Sequence, residues 1–186
     1  MQVEAKPRDQ TPLLISHLRL RRWVGWLGVL LVPVLLAIAG PRESISAYYH
    51  SPARDVFVGV LALIAGLLAA YRGHDAGDRR CSGAAAAGLL LVAMCPVGSP
   101  LFGPVHTAGA VVFFGAVAAL AWRFGFGGYR VRTFRGLAVG IAASLGAAVL
   151  CSVLGLPIVA PEAAGVVLFG AAWLVKGRAW EALVRP

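Results

Sequence analysis

Apolar residues in this chain come in long uninterrupted blocks rather than in one-sided stripes. A soluble helix carries apolar residues at every third or fourth position, whereas a helix solvated by lipid is apolar all round. Six blocks read this way: 23–40, 56–71, 83–99, 105–122, 137–155 and 162–175, the last begun about a turn earlier. Each predicts one transmembrane helix. Pro33 predicts a kink in the first, and Pro96 a break near the end of the third. The short turn "PLFG" between the third and fourth predicts an antiparallel hairpin. The expected fold is therefore all-α: a polytopic membrane bundle of six transmembrane helices over 23–175. A basic amphipathic segment precedes it at 1–22, lying along the inner leaflet with His17 at the interface, and a basic tail follows at 176–186.

Composition agrees with lipid as the solvent. The chain is 59% hydrophobic and only 13% charged, with a mean hydropathy of +0.79. Soluble domains carry about 25% charged residues. The first residues are charged and no small-residue cleavage site follows the first block, so a removable leader peptide is not expected.

The net charge of +9 changes the picture once its placement is seen. Fifteen basic residues fall in the N-terminal segment, the second and fourth connections and the C-terminal tail, and only Arg42 and Arg54 fall in the others. That asymmetry is the positive-inside signature, and it predicts both termini in the cytoplasm of a plasma membrane. The same placement removes nucleic acid as a partner, because the charge marks topology and no aromatic-basic recognition module accompanies it. Cys81, Cys95 and Cys151 form no C-x-x-C pair, and "GFGG" at 125–128 follows no strand, so redox, zinc-ribbon and dinucleotide motifs are not supported. The glycines and alanines of "GAAAAG" and "GIAASLGAA" read as close helix packing.

Polar chemistry concentrates on the side poor in basic residues. The connection "PRESISAYYHSPARD", residues 41–55, is read in part as structure. Ser51 is the expected N-cap of the second helix, with Pro52 at its first position and Asp55 near the positive end of its dipole. Tyr48 and Tyr49 fit an interfacial aromatic belt. His50, Ser44, Ser46 and Glu43 are not explained that way. His106 and Asp55 each lie about 24 Å of helix from the opposite end of their blocks, and Glu162 about 20 Å. Ionisable groups in lipid face a partner or a cavity. The leading expectation is a non-enzymatic protein with an outward pocket for a lipid headgroup or a small polar ligand, lined by Ser46, Tyr49, His50, Arg54, Asp55, His106 and Glu162. A second reading takes His50, Asp55, His106 and Glu162 as zinc ligands of a lipid hydrolase, with an open position for water. In a third, the small-residue faces of the third and fifth helices hold a partner, a second copy or another subunit of a membrane complex. A solvated turn is expected at "HDAGDRR", and no midplane charge accompanies the prolines to suggest a transporter.

Two resemblances carry further expectations. "ESISAYYHSPARDVFVGVLALIAG", with Ser44, Ser46, Pro52, Asp55, Phe57 and Gly59, resembles small bacterial six-helix membrane proteins of the DRAM/Frag group. That resemblance implies a six-helix architecture and a link to lipid; its Phe–Gly spacing is one residue short of the group's pattern. The Ser46-x-x-x-His50 spacing is similar to that in ceramidase- and progestin-receptor-like membrane hydrolases, which have seven helices and a late H-x-x-x-H absent here.

Overall fold

The computed structural model describes residues 11–178, and side chains from 17 onward. Six α-helices form among these residues, and no strand: α1 (Thr11–Ala39), α2 (Arg54–Ala70), α3 (Ala76–Met94), α4 (Gly103–Phe124), α5 (Val131–Val153) and α6 (Val159–Lys176). Four spans, at His17–Ala39, Gly103–Gly127, Val131–Val153 and Val159–Lys176, are long and apolar enough to cross a membrane. The chain is a multi-pass membrane protein.

Each helix packs against its neighbours in sequence and α6 returns to α1, so the six form a closed ring, with α4 also touching α6 across it. Short connections force the antiparallel order. Twelve of the described basic residues gather at the end that holds the second and fourth connections, and Arg42 and Arg54 lie at the other. The expected α3–α4 hairpin is present, with a connection that starts at Cys95, just before Pro96.

Backbone contact without intervening side chains closes two seams. Gly88 of α3 and Gly109 of α4 face each other so closely that a Cβ on either would stand 2.6 or 2.8 Å from the other's carbonyl oxygen. At the α1–α6 seam a Cβ on Gly170 would stand 2.7 Å from the Gly25 carbonyl oxygen, and one on Gly28 would stand 3.0 Å from the Gly170 Cα. Small residues permit this approach, which lipid-embedded helices use for van der Waals contact. The expected packing role of "GAAAAG" holds at Gly88. In α5, Gly140 packs on Leu168, but Gly136 and Gly146 face open space.

Aromatic rings fill the basic half of the interior. Tyr71, Phe124, Phe134, Trp173, Phe169 and Phe113 stand edge to face in a continuous series with centroid distances of 4.8–6.4 Å.

Several boundaries differ from expectation. Residues 11–22 are the first turns of α1 rather than a separate surface helix. Arg22 Nε donates to the Gly177 carbonyl at 3.0 Å, and the Arg21 guanidinium lies over the Tyr71 ring, which draws this segment onto the bundle. Residues 1–10 and 179–186 lie outside the described residues, as do the expectations that fall on them. α3 starts within the expected solvated turn. Asp75 caps it by accepting the Asp78 N–H at 2.9 Å, and Asp78 is buried. α2 begins at Arg54, and Ser51 forms a turn ahead of it in place of a cap: its hydroxyl donates to the Tyr48 carbonyl and accepts the Ala53 N–H.

Candidate ligand-binding site

The α1–α2 connection folds inward because its polar groups find partners on three helices. Ser46–His50 forms a short 3-10 helix, and the Ser44 hydroxyl accepts the Ala47 N–H at 2.9 Å at its start. Tyr48 is fully buried and its hydroxyl donates to the Gly40 carbonyl at 2.6 Å, so it anchors this helix and is not a belt residue. The Glu43 carbonyl accepts the N–H groups of Ile158 and Val159, both at 2.9 Å, which satisfies two orphan donors at the start of α6. One turn along α6, a Glu162 carboxylate oxygen accepts the Ile45 N–H at 2.6 Å. The connection is thereby strapped to α6 on both sides of Ser44.

This strap delivers Ser46 to the interior. Its Oγ lies 2.9 Å from His106 Nε2 on α4 and 3.4 Å from the second Glu162 oxygen. His106 is buried, and its Nδ1 lies 2.8 Å from the Cys95 carbonyl oxygen at the end of α3. Four chain segments thus meet in one hydrogen-bonded row: Cys95, His106, Ser46, Glu162. Buried polar groups in an apolar bundle need such partners, because each one left unsatisfied in hydrocarbon costs several kcal/mol.

A cavity of about 280 Å³ opens against this row. Ser46, His106, Glu162, Ser44, Thr107 and Ser152 supply its polar lining. Its other walls are apolar, and Val111, Val149 and Val153 of α4 and α5 are themselves exposed on the outer surface. The cavity therefore opens sideways, between α4 and α5, toward the region that lipid occupies. A smaller void of about 40 Å³ lies behind Ser46 and Glu162, lined by Leu31, Phe57, Leu61 and Phe113.

Of the seven residues expected at the site, the structure brings three together: Ser46, His106 and Glu162. His50 is exposed and turns away, its Nε2 2.8 Å from the Val97 carbonyl oxygen. The reason is the helix type. Positions i and i+4 share a face of an α-helix but lie about 120° apart on a 3-10 helix with three residues per turn. Ser46 and His50 therefore diverge, and the pairing suggested by their spacing is corrected to Ser46 with His106. Tyr49 and Arg54 form a separate exposed pair, with the guanidinium 4.9 Å over the ring and Nη2 donating to the hydroxyl at 3.3 Å. Asp55 is exposed in the first turn of α2.

The four candidate zinc ligands are accordingly not gathered. Among the described residues no group of three His, Cys, Asp or Glu side chains is placed to hold one metal ion. His106 and Glu162 share only Ser46, while His50 and Asp55 face elsewhere. Ser44, Thr107 and Ser152 join the lining beyond the expected set; Ser44 is one of the serines that capping and the belt leave unexplained, but nothing in the order of residues brings Ser152 of α5 beside it.

No family model, no curated protein and no solved structure matches this chain.

Proposed function

We propose that this protein spans the plasma membrane six times with both termini in the cytoplasm, and that it binds the headgroup of a membrane lipid in the cavity at Ser46, His106 and Glu162. The observation that carries this reading is the cavity's polarity: Ser46, His106 and Glu162 line its inner wall, and its open side is mainly apolar, with Thr107 and Ser152 among exposed valines. An amphiphile matches that gradient, headgroup inward and chain toward α4 and α5. A purely aqueous ligand would gain nothing from the apolar mouth.

The ring supports the two further crossings in this reading. α2 and α3 lie between helices that cross, and α2 at 17 residues is about 26 Å long, enough for a hydrocarbon core of roughly 30 Å with its polar ends in the interface. The gathering of basic residues at one end supports placing that end in the cytoplasm and the cavity in the outer half. The resemblance of residues 43–66 to the DRAM/Frag group points the same way.

The lining also narrows the headgroup. Among the described residues no lysine or arginine lines the cavity, whereas a carboxylate, an imidazole and four hydroxyls do. Such a set favours a headgroup rich in hydroxyl or ammonium donors over a bare phosphate.

The test is to purify the protein in mild detergent and identify retained lipid by native mass spectrometry. Wild type is expected to hold one lipid with a polyol or amine headgroup. Ala148→Trp, which fills the cavity from α5, is expected to cut retention roughly tenfold with little change in melting temperature. Equal retention by the two proteins would overturn the reading.

A further inference from the structure

The row of bonds through Ser46 fixes where its proton goes. The Cys95 carbonyl has no hydrogen to give, so His106 Nδ1, 2.8 Å away, must be the donor. In a neutral imidazole the other nitrogen then carries a lone pair. Ser46 Oγ then has one proton and two acceptors, that nitrogen at 2.9 Å and a Glu162 oxygen at 3.4 Å, and the shorter contact makes His106 the stronger acceptor. A serine hydroxyl aimed at the unprotonated nitrogen of a histidine, whose far nitrogen is held by a third group, is the arrangement that activates serine as a nucleophile. Both side chains line the cavity.

We infer that Ser46 is a nucleophile with His106 as its general base, and that the cavity cleaves a carboxylic ester of a membrane lipid. This deepens the lipid-binding reading and rests on it. Ser46 Oγ attacks the ester carbonyl carbon while His106 Nε2 takes the hydroxyl proton. The ester C–O bond breaks, and the departing lipid alcohol takes that proton from His106. Water then attacks the acyl-serine, its proton passing to His106 and on to Ser46 Oγ as the fatty acid leaves. The apolar mouth between α4 and α5 is where the acyl chain lies during both steps.

Two neighbours have distinct parts. The Ser44 hydroxyl accepts the Ala47 N–H and keeps its own proton to donate, and it lines the same cavity, so it is the donor for the developing oxyanion. Glu162 is a positioning residue. One of its oxygens holds the Ile45 N–H, and with it the turn that presents Ser46.

A fluorophosphonate reporter tests the nucleophile without a known substrate, since Ser46 Oγ would displace fluoride from phosphorus and remain labelled. Wild type in detergent is expected to label at Ser46, as read by peptide mass. Ser46→Ala abolishes labelling, His106→Ala slows it about 100-fold or more, and Ser44→Ala slows it by a comparable factor. Should His106→Ala not fold, His106→Gln decides, since its amide keeps a donor for the Cys95 carbonyl but cannot take the serine proton: labelling at the wild-type rate overturns the inference. Lipid retention is measured on the same samples. Retained lipid with no label at Ser46 overturns the esterase and leaves the binding reading standing. Label at Ser46 in a protein that retains no lipid supports the nucleophile and overturns the lipid it was meant to serve. Neither lipid nor label overturns both.

Discussion

Gly170→Leu is expected to unseat α6 from α1 and to destabilise the protein by about 3 kcal/mol or more, at the upper end of what overpacking costs. At 2–4 °C per kcal/mol for a chain of this size, that is a fall of roughly 6–12 °C in melting temperature. The cause is that backbone, not side chain, stands in the way. A Cβ on Gly170 would lie 2.7 Å from the Gly25 carbonyl oxygen and 2.7 Å from the Val29 nitrogen. Neither atom can swing aside as a flexible side chain can, so the two helices must separate, and the ring opens at the seam where α6 closes it. Gly59→Leu is the matched control. Nothing lies within 4 Å of its added carbon, and the residue is exposed on α2, so its effect is expected within about 0.5 kcal/mol. Thermal unfolding followed by tryptophan fluorescence reads both, and equal melting temperatures would show that the α1–α6 seam is not a backbone contact.

The contrast between those two glycines marks how far the order of residues can be read. Apolar blocks reveal that helices exist and where lipid must be, because burial in hydrocarbon leaves the backbone no other way to satisfy itself. They do not reveal which face turns inward, since a helix that is apolar all round has no stripe to follow. Gly59 and Gly170 look alike in such a block. The polar residues were legible in kind and end, and so Ser46, His106 and Glu162 could be named as site residues. Their pairing was not legible. It depends on "SAYYH" folding as a 3-10 helix rather than an α-helix, and on Tyr48 turning into the core instead of toward the interface. Local sequence favours neither outcome. The Ser46–His106 bond spans 60 residues and is made only when the ring closes.

The same blindness hid the other polar cluster, at the basic end, where Arg123→Ala is expected to lower the melting temperature by roughly 5–10 °C. "HDAGDRR" reads as a solvated turn, yet Asp78 is 5% exposed and its carboxylate has two partners. Arg123 Nε donates to it at 2.8 Å and the His74 N–H at 3.0 Å. The other end of the guanidinium takes Asp75, at the cap of α3. One arginine on α4 therefore ties down both acids at the start of α3, in a planar fork that lysine cannot reproduce. Removing it leaves a buried carboxylate with only one N–H partner, and that uncompensated charge is the source of the loss. Asp78→Asn in the Arg123→Ala background removes the charge while keeping an acceptor for His74, so part of the stability should return. A double variant no more stable than the single one would show that the loss came from packing instead. Acid provides a second reading. The Asp78 N–H, and after it Arg123, hold the Asp75 carboxyl below its usual range against the opposing effect of desolvation. A carboxyl with a lowered folded value contributes in full above its unfolded value, about 3.9, and loses that contribution as pH falls through the folded one. Wild type and Arg123→Ala should therefore differ most near neutral pH and converge in part below about pH 4, as Asp75 gives up its share of the clamp.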